Sequence, residues 1–334
     1  MLSIATLFTH GLISLASTLP LAQGSPTYSS YKLRDEPTNS TSIDPYLITG
    51  DTFVHDPTVV KTRNGSYLLA FTADGVGLKR SDDRVHWTDI GSAFPNGTPW
   101  TVPYTQTWKN LWAPDISYHN GQYYIYYSAS TFGSRKSAIF LTTSPTGESG
   151  SWTNKGVVVE TVENSTYNAI DANLVKDHKG QWWMSFGSFW SGIKMVQLNP
   201  KTGLRMDDKM ISLAARPSEE LEAPFIYQNK GWYYMWLSWD RCCRGRDSTY
   251  KIVVGRSKKV TGPYLDRDGV DMMDGGGTVM LETHGDILGP GHNAVFKDDD
   301  GHVLVYHYYN PEGVAQLGIN RITYDGKTAW PILF

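Results

Sequence analysis

The chain has 334 residues and a formal net charge of −3, with 19% charged and 13% aromatic side chains and 12 Trp. So weak a net charge supplies no basic field, which argues against nucleic acid as a partner. One composition zone, with no long helical period, points to a single large all-β domain rather than several smaller ones.

The first apolar stretch, Leu2 to Leu21, is broken by small polar residues and His10 and ends at a small-residue site, Ala22-Gln23-Gly24. It has no basic segment before it, yet it is too interrupted for a good membrane span, so residues 1–24 read as a secretory leader. Residues 25–44 are rich in Ser, Thr and Pro and read as a flexible arm. N-x-S/T sequons at Asn39, Asn64, Asn96 and Asn164 agree with secretion and with glycosylation. Residues 45–334 are then the folded domain.

From there a unit recurs in chain order. Asp56-Pro57-Thr58-Val59-Val60 leads through Asn64-Gly65 to Tyr67–Phe71. Ala113-Pro114-Asp115-Ile116 leads through Asn120-Gly121 to Tyr123–Tyr127. The third copy, from Asp171, has strands expected at 172–176, 182–186 and 193–198. Glu222-Ala223-Pro224-Phe225-Ile226 leads through Lys230-Gly231 to Trp232–Trp236, and His292-Asn293-Ala294-Val295 leads through Asp300-Gly301 to Val303–Tyr306. Short β-branched and aromatic runs separated by Gly/Asp/Asn turns are antiparallel meanders. Five copies at about 50 to 70 residues match the blade period of a five-bladed β-propeller with loop insertions.

Each blade opens with a strand near the axis, so the residues heading those strands converge on the central channel. The heads are Asp56, the segment Trp112 to Asp115, Asp171, Glu222 and His292. Three are expected to be acids at matching positions. Two carboxyls flanking a glycosidic bond suffice for hydrolysis, and a third can raise the acid's pKa by like-charge repulsion. Asp56 before Pro57 also suits a turn cap, and Glu222 also suits the charged run with Glu219 and Glu220. The adjacent Cys242 and Cys243 suit either a vicinal disulfide or two free thiols, and no further Cys exists for a zinc site.

Six ordered motifs carry a more specific likeness. Val54-His55-Asp56-Pro57, Trp112-Ala113-Pro114-Asp115, Tyr167-Asn168-Ala169-Ile170-Asp171, Gly187–Gly192, Glu222-Ala223-Pro224 and Gly289-Pro290-Gly291-His292-Asn293 resemble glycoside hydrolase family 43, and within it the endo-acting arabinanases. The resemblance implies a five-bladed propeller and an inverting mechanism, with Asp56 as general base, Glu222 as general acid and Asp171 tuning that acid. It implies sugar contacts from Asn168, Ala169, Ile170, Ser188, Phe189 and Trp190, with Phe132, Gly133 and Trp112 on the cleft wall. It also implies a calcium ion held near the axis by His292, largely through water. Ala172 follows Asp171 where the family commonly has Pro, and the long arm before Asp51 is not a family feature.

The boxes Ser81–Trp87 and Ser149–Trp152 resemble the turn-then-Trp boxes of sialidase-type propellers and read as structural. The expected partner is arabinan or its oligosaccharides, bound by a secreted monomer with no membrane attachment. An exo-acting arabinofuranosidase or β-xylosidase of the same family is the nearest alternative; a propeller lectin would not need three acids at strand heads.

Overall fold

Each recurring unit forms a sheet of its own in the computed structural model, which describes residues 41–107 and 109–334. Blade 1 runs outward through Thr58–Lys61, Tyr67–Phe71, Gly77–Ser81 and His86–Ser92. Blade 2 has Trp112–His119, Gln122–Ala129, Ala138–Ser144 and Thr153–Glu160. Blade 3 has Asn173–Lys176, Trp182–Phe186, Ile193–Leu198 and Ile211–Ala214. Blade 4 has Leu221–Asn229, Trp232–Trp239, Lys251–Ser257 and Thr278–Leu281, and blade 5 has Leu288–Asp298, Gly301–Tyr309, Ala315–Tyr324 and Pro331–Leu333. All neighbours within these four-strand sheets pair antiparallel. This is an all-β five-bladed propeller.

The unbroken aromatic runs follow from the architecture. A strand facing solvent on one side alternates, but an inner propeller strand is covered on both faces by the neighbouring blades. Tyr123, Ile125 and Tyr127 accordingly pack with Leu68 and Leu78 of blade 1, whereas Tyr124 and Tyr126 pack with Met184 and Phe186 of blade 3. Met235 and Leu237 face Ile193 and Met195, and Trp236 faces Leu304 and Tyr306. The core is therefore five wedges, one at each junction.

The N-terminal segment closes the ring. Tyr46 N–H donates to Ile319 O, Leu317 N–H donates to Thr52 O, and Thr49–Gly50 then pairs parallel with the outer strand of blade 1. The flexible arm expected over 25–44 needs correction at its end, because 41–44 already belong to the propeller. Ile43 is buried in the wedge between blades 4 and 5, Thr41 Oγ1 donates to Glu282, and Asp44 O accepts from Asn320. The expected leader, the rest of the arm and Asn39 lie outside the described residues. Asn64, Asn96 and Asn164 are exposed. Among the described residues, no helix is long and apolar enough to cross a membrane.

Both turn-then-Trp boxes are structural. Ser81 Oγ accepts from Arg84 N–H, Asp83 Oδ1 accepts from Val85 and His86 N–H, and Trp87 and Trp152 are buried.

Candidate active site

The inner strands share one backbone device. Asp56, Ala113, Asp171, Ala223 and His292 all adopt left-handed conformations, with φ between 46° and 60°. A non-glycine residue in that region is uncommon and carries a cost that the surrounding structure must hold in place. These five are the equivalent positions of the ring, which corrects the expectation of three matching acids. Asp56 and Asp171 match each other, but Glu222 stands one residue earlier, where blade 1 has His55. The left-handed residue accompanies a bulge, seen as a register break between Glu222 and Phe225 and between Trp112 and Asp115. Motif comparison alone does not reveal the one-residue offset.

Asp56 sits in a box of imidazoles. Its Oδ2 is 2.9 Å from His55 Nδ1, an ion pair without good hydrogen-bond alignment, and accepts from Thr72 Oγ1 at 2.5 Å. Its Oδ1 is 3.1 Å from His292 Nδ1 and 3.5 Å from His307 Nδ1. Burial works against ionisation of Asp56, but His292, His55 and His307 outweigh it and hold the carboxyl far below the usual range. Burial lowers the pKa of His292 and His307. Burial also opposes charge on His55, yet the Asp56 charge beside it prevails and its pKa is raised. Of the three imidazoles around Asp56, His55 alone is raised. It stacks on His307 with ring centroids 3.9 Å apart, and its Nε2 lies 2.9 Å from the Tyr309 hydroxyl.

Glu222 is tuned the other way. Burial raises its pKa to about 7, and Asp56 adds to the rise; the Ser188 hydroxyl, donating to Oε2 at 2.5 Å, partly opposes it. Asp171 is raised well above the carboxylate range by burial, then by Glu222 and Asp56. Its Oδ2 accepts from Ala223 N–H at 3.2 Å, which places the carboxyl beside the acid's own strand. Two carboxyls whose surroundings drive their pKa values apart form an acid–base pair. Sequence reasoning alone found the acids without assigning the roles; around one cavity, Asp56 is lowered and Glu222 raised. Asp115 plays no such part: it is buried, pushed up to about 7 by burial, and accepts from Leu174 N–H at 2.6 Å, tying blade 2 to blade 3.

These groups open onto a cavity of about 640 Å³. Asp56, Asp171, Glu222 and His292 line it, together with Trp112, Phe132, Gly133, Asn168, Ile170, Ser188, Phe189 and Trp190. Ala169 does not. It is fully buried in the wedge between blades 2 and 3, where apolar packing claims its side chain, so its expected sugar contact is corrected. Phe132 stands 85% exposed on the rim. Phe189 and Trp190 are consecutive left-handed residues, a strained turn tied to the acid's strand by Phe189 N–H donating to Leu221 O.

Sequence reasoning did not single out His55, Thr72, His307 and Tyr309. His55 adjoins Asp56, and His307 occupies the second-strand position held by Ser128 and Ser238 in other blades, so a blade-by-blade register would have found it. Cys242 and Cys243 form a vicinal disulfide on the cavity wall, which resolves the two alternatives left open by the sequence. Cys243 N–H donates to the Tyr309 hydroxyl.

The model of the family described as glycosyl hydrolases family 43 matches residues 48–329. The chain belongs to glycosyl hydrolase family 43. Within family 43, it is 41% identical over 286 residues to the extracellular endo-α-(1→5)-L-arabinanase 1 of Bacillus subtilis, covering 83% of this chain and 87% of that one. It is 39% identical over 304 residues to the extracellular exo-α-(1→5)-L-arabinofuranosidase of Cellvibrio japonicus, covering 83% and 85%. The solved α-L-arabinanase of Cellvibrio cellulosa complexed with arabinohexaose is similar at a TM-score of 0.80 and 37% identity, covering 84% of this chain and 95% of that one. As a family 43 member, the chain is a glycosidase.

Proposed function

We propose that this protein is a secreted endo-1,5-α-L-arabinanase that cleaves internal α-1,5-L-arabinofuranosidic bonds of arabinan with inversion. The observation that carries the reading is the opposite tuning of Asp56 and Glu222 around one cavity. Glu222, protonated up to about pH 7, gives its proton to the departing oxygen. Asp56, ionised and held by imidazoles, takes a proton from the attacking water. Asp171, held by the Ala223 N–H, sits beside Glu222 and orients it. Phe132, Trp190 and Trp112 offer flat apolar faces to sugar rings, and Asn168 and Ile170 line the wall between them. One chain supplies every lining residue, so a monomer suffices. Secretion rests on the leader pattern and on the extracellular names of relatives.

Calcium belongs to this proposal through His292. A hard cation takes six to eight oxygens, and one imidazole nitrogen does not make a protein cage. The side-chain oxygen and nitrogen of the adjacent Asn293 are buried without a protein partner. This set fits an ion held chiefly through water. His292 would hold it, and the ion would supply positive charge near the axis. Chelation and His292→Ala should each lower turnover without unfolding the protein; full activity after both would remove the ion.

Linear arabinan digested over time and sized at early points tests the main reading. Mixed oligomers support endo action, whereas no product refutes hydrolysis. Release of a single small product from the outset supports exo action, the second reading, which the exo-acting Cellvibrio japonicus relative favours.

A further inference from the structure

The left-handed residue of each inner strand points its N–H toward the second strand of the preceding blade, and four of the five are met there by a side chain. Ala113 N–H donates to Thr72 Oγ1 at 2.8 Å, Asp171 N–H to Ser128 Oγ at 3.0 Å, His292 N–H to Ser238 Oγ at 2.7 Å, and Asp56 N–H to His307 Nδ1 at 3.1 Å. The acceptors occupy one register. Thr58, Asp115, Phe225 and Ala294 pair with Ala70, Tyr126, Trp236 and Val305, and the acceptor lies two residues beyond each partner. In blade 3, Asn173 pairs with Ser185, so the same position is Gly187.

Glycine has no acceptor, and the fifth N–H, that of Ala223, is received by Asp171 Oδ2 instead. We propose that Gly187 is a positioning residue: by leaving the ring's fifth acceptor position empty, it delivers the Ala223 N–H to Asp171 and so anchors that carboxyl beside Glu222. The inference rests on the acid role of Glu222. A buried N–H must find an acceptor, and here the nearest replacement is a carboxylate of the reaction machinery. Asp171 is faced by Glu222 from blade 4 and by Asp56 from blade 1; Glu222 is faced by Asp56, His55 and the Ser188 hydroxyl. Burial, Glu222 and Asp56 raise Asp171, and donation from Ala223 opposes that rise.

Gly187→Ser and Gly187→Ala test this as a pair. Gly187 has φ +132°, and an added Cβ would lie 2.7 Å from Gly192 O, so both variants carry the same backbone strain. Only serine restores the acceptor found in the other blades. Gly187→Ser should fall about tenfold below Gly187→Ala in kcat/KM, the size of one hydrogen bond to a charged group. Its alkaline limb should also move to lower pH, as Asp171 competes for the proton. Equal rates and superimposable pH profiles would overturn the proposal.

Amide exchange gives a reading that does not depend on either variant folding. In Asp171→Ala, the Ala223 amide should exchange about tenfold faster than in wild type, while Ala113, held by Thr72, should not change. An unchanged Ala223 rate sinks the proposal. Because this readout follows a hydrogen bond and not turnover, it fails separately from the assignment of Glu222.

Discussion

Ser188 and Glu222 are joined twice, by an isolated antiparallel bridge between their backbones and by the Ser188 hydroxyl donating to Glu222 Oε2. Glu222 of blade 4, the proposed acid, is thereby tied to a turn of blade 3. The hydroxyl favours the ionised form of Glu222, so its removal should raise the pKa of the acid. Ser188→Ala should extend the alkaline limb to higher pH while lowering the maximal rate about tenfold, the loss of roughly one hydrogen bond of about 1.4 kcal/mol. Initial rates on arabinan across pH measure both effects, and a limb that moves downward would contradict the assignment.

The wild-type pH profile should be asymmetric. In the proposed mechanism Glu222 acts in its protonated form, and with its pKa raised to about 7, activity should be half lost near pH 7 as pH rises. The proposed base, Asp56, acts in its ionised form, and because its pKa is depressed, the acid limb should lie below the ordinary carboxylate range. Asp171→Asn removes a carboxyl whose proton competes with that of Glu222 and should shift the alkaline limb by about one unit. An alkaline limb unmoved in Asp171→Asn would assign it to His55, whose own pKa is raised above 6.5.

Acid and base should respond differently to the leaving group. Positioned proton transfer contributes about 10²–10⁴-fold, and it matters most when another sugar departs. Glu222→Ala should lose nearly all activity on arabinan yet retain far more on an arabino-oligosaccharide with a phenolate leaving group. Asp56→Ala should be nearly inactive on both, and azide, which needs no base, should partly restore it with an inverted product. Equal losses for Glu222→Ala on both substrates would displace it from the acid role, and a wild-type product of retained configuration would displace the mechanism.

Asp115 should matter for stability rather than chemistry. Asp115→Ala leaves the partly buried Leu174 N–H without its acceptor at the junction of blades 2 and 3, a loss of about 1 kcal/mol. For a domain of this size, that corresponds to a fall of a few degrees in Tm. Thermal unfolding checks it, and an unchanged Tm would show that the tie contributes nothing.

The blades were legible because their inner two strands combine turn residues with apolar runs at a repeating spacing. Outer strands were not: Ile211–Ala214 and Pro331–Leu333 are short edge strands with no strong alternation. Asp56, Asp171 and Glu222 stood out through their motifs. What the motifs could not show was the bulge that sets Glu222 one residue ahead of Asp171, because a bulge changes register without changing composition. The imidazole box around Asp56 was hidden for a different reason. His307 lies 251 residues from Asp56, and only the closed ring brings them together.

That separation bears on how the protein acquires its activity during synthesis. At about 5–20 residues per second, Asp56 leaves the ribosome tens of seconds before His292 and His307 exist. Through that interval its carboxyl lacks two of the imidazoles that box it in, and the segment that closes the ring has no blade 5 to lie against. A nascent or prematurely terminated chain should therefore be catalytically silent until the final blade docks. Turnover in this protein should in effect report that blade 5, from Leu288 onward, has been made and correctly placed.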